Sequence, residues 1–314
     1  MSRPFSSRLP LSGSQIDRDH LSRAGGIDAV LADPQARAIV LHDQKALLAG
    51  PAELAVVPAA SITFSDALYL GRSLTDAADL PQGAPVLALL VDDAEAAALS
   101  GPAADDAWGD LRRLGHQLST RDAGLFTQAL ALANWHRAYG FSPRSGVATQ
   151  PSAAGWTRVD PDGKEVFPRT DAAVIVGVTD ADDRLLLGSN AMWEANRFSL
   201  LAGFVEPGES LEAAVMREVY EESGLVVADP VYLGSQPWPF PASLMVGFRA
   251  HVPVEQPTVG TPDGHEIIAL RWLTRHELAA ASASGEIILP GQTSIARAII
   301  EDWFGDELAD GGRW

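Results

Sequence analysis

The chain has 314 residues, 46% of them hydrophobic, and a formal net charge of −18, which allows two domains with a sizeable core. It has no cysteine, which excludes disulfides and thiolate zinc sites and suits a reducing compartment. The charge argues against tight non-specific binding to nucleic acid, which needs Lys and Arg to neutralise phosphates. It leaves a phosphate-bearing substrate open, because divalent cations reverse the local sign of a site.

The opening MSRPFSSRLPLSGS lacks the apolar stretch of a secretory signal, and no segment approaches the run of about 18 apolar residues that crosses a membrane. The expectation is a cytoplasmic protein. In chain order, AIVLH (38–42), ELAVV (53–57), ALYLG (67–71) and PVLALLV (85–91) read as short strands bounded by turn residues. Leu125, Ala129, Leu132 and Trp135 recur at three and four residues and predict a helix over 121–139. Together these make 1–140 a smaller α/β domain with no visible catalytic motif. Residues 141–163 turn to Ser, Pro, Gly and Asp, with DPDG as a strong turn signal, so 141–167 reads as a connector.

The second domain, 168–314, begins with two predicted strands, AAVIVGV (172–178) and RLLLG (184–188), joined by a turn at TDADD. LMVGFRAHV (244–252) and IIALRWL (267–273) are further strands, and ARAIIEDWF (296–304) is an amphipathic helix. No internal repeat is visible.

Between these elements lies REVYEESG (217–224). Ser210 as N-cap and Gly224 at the C′ position predict a helix over 211–223. At about 100° per residue, Val215, Val219, Met216 and Tyr220 fall on one side, expected to pack, and Glu218, Glu221 and Glu222 on the other. Like charges at this spacing destabilise a helix by roughly 0.2–0.5 kcal/mol per pair, and they stand where the macrodipole disfavours anions. The face has no Lys to dilute it, and GFVEPGE brings Glu206 and Glu209 to the same end. A hard divalent cation with oxygen ligands, Mg²⁺ or Mn²⁺, converts this repulsion into coordination.

GFVEPGESLEAAVMREVYEESGL (203–225) matches the Nudix box without a gap: Gly203, five residues, Glu209, seven residues, Arg217-Glu218, then Glu221-Glu222 and Gly224. The resemblance implies a Nudix α/β/α sandwich around a mixed sheet and cleavage of a diphosphate joined to a further moiety. SQPWPFPAS (235–243) resembles the array that marks the NADH pyrophosphatase branch. It implies substrate contact by Gln236, Pro237, Trp238, Pro239, Phe240, Pro241, Ala242 and Ser243. By position, Glu266 resembles the family's distant metal-binding glutamate, and Ala202 would offer its carbonyl to metal. Ala296 matches a substrate-contacting position. Phe167, reaching in from the partner subunit of a homodimer, and Phe204 resemble aromatics that sandwich a base.

The activity implied is hydrolysis of the P–O–P link of NADH or NAD⁺ to AMP and nicotinamide mononucleotide, with NAD-capped RNA as a further substrate. Metal held by Glu218, Glu222 and Glu266, with Glu221 nearby, would serve it; Glu218, Glu221 and Glu222 are the catalytic set. Arg217 would orient the glutamates. The alternative is a module that senses NAD(H) or ADP-ribose without cleaving it, but such modules commonly lose a box glutamate and this box keeps all of them. The family's zinc ribbon is broken: Ser142, Ser145, Val159 and Asp162 stand at its four cysteine positions, so no structural zinc is expected.

Overall fold

A computed structural model describes residues 4–100 and 107–309. The chain packs as two compact units. One comprises Gly13–Thr170 with Pro237–Ala242; the other draws its described residues from Met1–Ser12, Asp171–Gln236 and Ser243–Trp314.

The first unit contains β1 (Ile16–Asp17), α1 (Gly26–Leu31), β2 (Arg37–His42), β3 (Lys45–Gly50), β4 (Glu53–Leu54) and β5 (Val57–Pro58). It continues with β6 (Asp66–Ser73), β7 (Pro85–Leu90), α2 (Asp93–Ser100), β8 (Trp108–Asp110), α3 (Leu111–Leu114) and α4 (Thr120–Ala138). The predicted strand at 53–57 is thus two short strands, β4 and β5, with Ala55 and Val56 between them. Its sheet runs β1-β6-β7-β2-β3-β4, with β5 on β2 and β8 on β3. Helix α4 is buried nearly all round, so Phe126, Leu130 and Ala133 pack as fully as the predicted stripe.

The connector forms a small antiparallel sheet, β9 (Gln150–Ser152), β10 (Thr157–Val159) and β11 (Glu165–Val166). Hydrogen bonds close its turns: Ser142 N–H donates to Val147 O, Gly146 N–H to Ser142 O, and the Asp160 carboxylate accepts from the Asp162 and Lys164 amides. Arg158 ties this sheet to α4. Its guanidinium donates to Thr149 O, Thr149 Oγ1 and His136 Nδ1, while His136 Nε2 lies 2.8 Å from Gly155 O. An arginine only donates, so His136 accepts at Nδ1 and carries its proton at Nε2.

The second unit contains β12 (Asp171–Thr179), β13 (Leu185–Asn190), β14 (Leu201–Phe204), α5 (Leu211–Ser223), β15 (Ala228–Trp238), β16 (Ser243–His251), β17 (Ile267–Leu273), α6 (Arg275–Ser284) and α7 (Ile295–Phe304). The sheet is ordered β15-β16-β12-β13-β17 with β14 on β12, and β12 runs parallel to β16. Alternation divides it into two cores. Val174, Val176 and Val178 join Val215 and Val219 of α5 on one face, whereas Ile175 joins Leu278 of α6 and Ile299 of α7 on the other. This is the α/β/α sandwich expected.

The two sheets repeat one topology that the sequence does not display. Strands β2, β3, β5, β6, β7 and β8 correspond in chain order and pairing to β12, β13, β14, β15, β16 and β17, each sheet having one central parallel pair, β2 with β7 and β12 with β16. Where α5 lies between β14 and β15, the first unit has only a 3₁₀ turn, Ala59–Ser61. It therefore lacks the carboxylate helix.

Candidate active site

Helix α5 has the predicted bounds. Ser210 Oγ accepts from Ala213 N–H at 3.1 Å, and Gly224 ends the helix in the left-handed region at φ 69°. The packed face differs from the expected one: Val215 and Val219 are buried, but Met216 and Tyr220 are exposed, and Glu222 is 5% exposed. The helix is rotated so that its carboxylate side leans on β14. Gly203 permits this, because a Cβ there would overlap the Glu218 carboxyl.

Arg217 organises the carboxylates. Nε donates to Glu209 Oε1, Nη1 lies 2.9 Å from both Glu218 Oε1 and Glu221 Oε2, and Nη2 donates to Glu209 Oε2 and to Phe204 O. Such charge-assisted forks fix geometry as well as charge. Arg217 holds Glu209 below the usual carboxylate range. Glu218 is nonetheless raised, first by burial, then by Glu221 and Glu266 against the opposing pull of Arg217.

Glu222 is strongly perturbed. Burial, then Glu266 and Glu218, push its carboxyl up to about 8, with the Ala202 backbone N–H opposing. Its Oε2 is buried with no hydrogen-bond partner. A buried carboxylate oxygen facing two further carboxylates is costly unless a cation compensates it. The residues therefore fit a hard divalent ion, although among the described residues no three such side chains are already closed together at ligand spacing. Glu266 is placed by Asp263, which accepts from the Glu266 and Ile267 amides at 3.0 and 2.7 Å, and Asn190 Nδ2 lies 3.4 Å from its carboxylate. Sequence reasoning missed these two supports; the one readable signal is the PDG turn before Glu266.

Of the other predicted residues, Phe204 and Phe167 are exposed, at 59% and 62%. Trp238 and Phe240 meet edge to face with centroids 4.9 Å apart. Gln236 has its side chain committed to the fold: fully buried, it accepts from Leu11 N–H and donates to Thr293 O. Ala296 is buried at the start of α7 in the apolar core. Ala202 and Ser243 are half-buried, on β14 and at the start of β16. A cavity of about 260 Å³ in the first unit, lined by Leu41, Leu90, Leu130, His136 and Arg158 among others, shares no residue with this set.

Residues 168–289 match the NUDIX domain, and residues 35–135 match the NADH pyrophosphatase-like rudimentary NUDIX domain. The chain belongs to the Nudix family. Within it, the pair of domains places the chain in the NADH pyrophosphatase branch. Similar curated proteins include the NAD-capped RNA hydrolase NudC of Mycobacterium bovis, 49% identical over 209 residues that span 62% of this chain and 64% of that one. The NAD-capped RNA hydrolase NUDT12 of Homo sapiens is 36% identical over 200 residues, 60% of this chain and 43% of that one. The chain thus spans a little under two thirds of the length of the mycobacterial relative.

Proposed function

We propose that the protein hydrolyses the diphosphate of NADH or NAD⁺ to AMP and nicotinamide mononucleotide, and accepts the same linkage at the 5′ end of NAD-capped RNA. The observation that carries the chemistry is Glu222. A box glutamate whose buried oxygen lacks any partner, faced by Glu218 and Glu266, marks a site built to be completed by a cation. The substrate rests on the SQPWPFPAS array and on relatives named as NAD-capped RNA hydrolases.

Glu218, Glu222 and Glu266, with the Ala202 carbonyl, would hold Mg²⁺ or Mn²⁺. Such an ion, when bound, screens the diphosphate and lowers the pKa of an attacking water. The chain's own residues do the rest. Arg217 fixes Glu218 and Glu221, so that the carboxylates need not reorganise as charge develops. One carboxylate of the set takes the water proton as the water oxygen bonds to phosphorus. The P–O bond then breaks, and the departing phosphate oxygen leaves as a monoester. Phe204 and the partner subunit's Phe167 would stack a base in a homodimer, and Pro237–Ser243 would contact the dinucleotide. No described helix is long and apolar enough to cross a membrane, and we place the activity in the cytoplasm.

Product analysis with NADH, ADP-ribose and NAD-capped RNA at matched concentrations, with and without Mg²⁺, tests this. AMP and the mononucleotide from NADH, only with the ion, are expected. Binding of NADH without any product would instead identify a sensor.

A further inference from the structure

Pro237–Ala242 comprises the last two residues of β15 and the loop that leads to β16 of the Nudix sheet, yet these six residues pack in the other compact unit, with Gly13–Thr170. Three of the six are prolines and bring no backbone N–H. Phe240 N–H donates to Trp238 O at 2.7 Å. With so few donors of its own, the segment must satisfy its buried carbonyls from outside.

Asn134 supplies one such donor. It is 7% exposed on α4, and its Nδ2 donates to Pro239 O at 2.9 Å. The other buried polar side chains of α4 with assigned bonds serve the first unit's own strands and turns: Asp122 accepts from Leu54 N–H, Gln128 donates to Leu70 O, and His136 meets Gly155 and Arg158. A buried amide on a helix is costly unless bonded, and Asn134 spends its donor on the array. Arg112 of α3 adds a second hold, its guanidinium carbon 4.2 Å from the Phe240 ring centroid.

We propose that Asn134 is a positioning residue for dinucleotide selectivity. Helix α4 of the rudimentary domain grips the Pro239 carbonyl and thereby sets the attitude of Trp238 and Phe240. The domain without the carboxylate helix thus acts as the mount of the selectivity loop. This rests on the reading that the array contacts the dinucleotide.

The test is steady-state kinetics on the full chain with Mg²⁺, comparing NADH with ADP-ribose, or ADP-ribose binding where its turnover is too slow to follow. Asn134→Asp keeps the shape but turns an oxygen toward the Pro239 carbonyl. Asn134→Leu removes the donor at similar volume, and Asn134→Gln keeps it on a longer arm. Both donor-less variants should lose about tenfold or more in kcat/KM on NADH, chiefly through KM, and less than about threefold on ADP-ribose. Asn134→Gln should recover part of the NADH preference, and Trp238→Ala should reproduce its loss. An unchanged preference in both donor-less variants, while Trp238→Ala lowers it, would overturn the positioning role and leave the array reading standing. Equal losses on both substrates with a lowered Tm would reduce Asn134 to a structural residue. If Trp238→Ala also leaves NADH cleavage unchanged, the array reading fails and the positioning role falls with it.

Discussion

Replacing Glu222 by Gln separates stability from activity in opposite directions. The Glu222 carboxyl is pushed up to about 8 in the fold by burial, Glu266 and Glu218, against about 4.3 in an unfolded chain. Between those values the folded state binds a proton that the unfolded state has lost. Its stability contribution is therefore fully present below about pH 4 and falls as pH rises toward about 8. At about 1.4 kcal/mol per pH unit, ionisation of the unfolded chain costs the metal-free fold roughly 4 kcal/mol near pH 7. Glutamine escapes this cost but brings an amide that must find acceptors, which offsets about 1–2 kcal/mol. The net gain of about 2–3 kcal/mol corresponds to a Tm rise of about 4–12 °C for a unit of this size.

The assay is thermal unfolding of wild type and Glu222→Gln with a chelator, from about pH 5 to about pH 8. The variant should melt higher at the alkaline end, and the two curves should converge toward the acid end. With Mg²⁺ the order should reverse, because only the wild type gains fully from an ion that binds the native state. Turnover of NADH should fall by about 10²–10⁴. A variant that melts at or below wild type near pH 8 without metal would refute the reasoning, as would a gap that does not shrink on acidification.

What was legible in the sequence follows how locally each feature is determined. Helix α5 was read to its bounds because Ser210 and Gly224 announce its ends by their own chemistry. Strands β2, β7, β12 and β13 were legible as continuous apolar runs, and β17 as one broken only by Arg271. Strand β15 was not: it carries Asp229, Pro230 and Tyr232 in a mixed burial pattern, so its pairing with β16 comes from the sheet rather than from its own sequence. Helix α6 was missed because RHELAAASAS has only a weak apolar stripe, although Thr274 and Glu277 form a capping box that could have revealed it. The carboxylates were found by type and spacing, but not the side to which they pack. Helical angles alone put Met216 and Tyr220 inside. The absent Gly203 side chain, on a strand paired only in the folded sheet, lets Glu218 in instead. Gln236 was legible as part of the array but not as a buried tie to Leu11 and Thr293, because both partners are distant in sequence.

Three further outcomes follow from particular contacts. The connector turns are closed by Ser142 and Asp160 hydrogen bonds, so elemental analysis should find no stoichiometric zinc, and a zinc-selective chelator should leave Tm unchanged; one tightly held zinc per chain would contradict this. Burial, and then the Arg158 guanidinium, push His136 below its ordinary value, so the folded state binds fewer protons than the unfolded one below about pH 6.5. Its contribution is present above that value and lost as pH falls, and the slope of Tm against pH in this range should flatten in His136→Gln. The last outcome concerns Gly203, whose role is to be absent as a side chain. A methyl group there would occupy the space of the Glu218 carboxyl, and β14 cannot retreat, since it is paired residue by residue with β12 from Ala173 to Val176. The carboxylate must therefore move, losing its place beside Arg217 and Glu222. Gly203→Ala should keep a cooperative melt yet cut turnover by about 10²-fold, the cost of misplacing one group by about 1 Å. Raising Mg²⁺ should restore part of it if the loss lies in ion affinity. Turnover within a few-fold of wild type would show that Glu218 does not need its position against β14, and the rotation of α5 would then be a packing accident rather than part of the site.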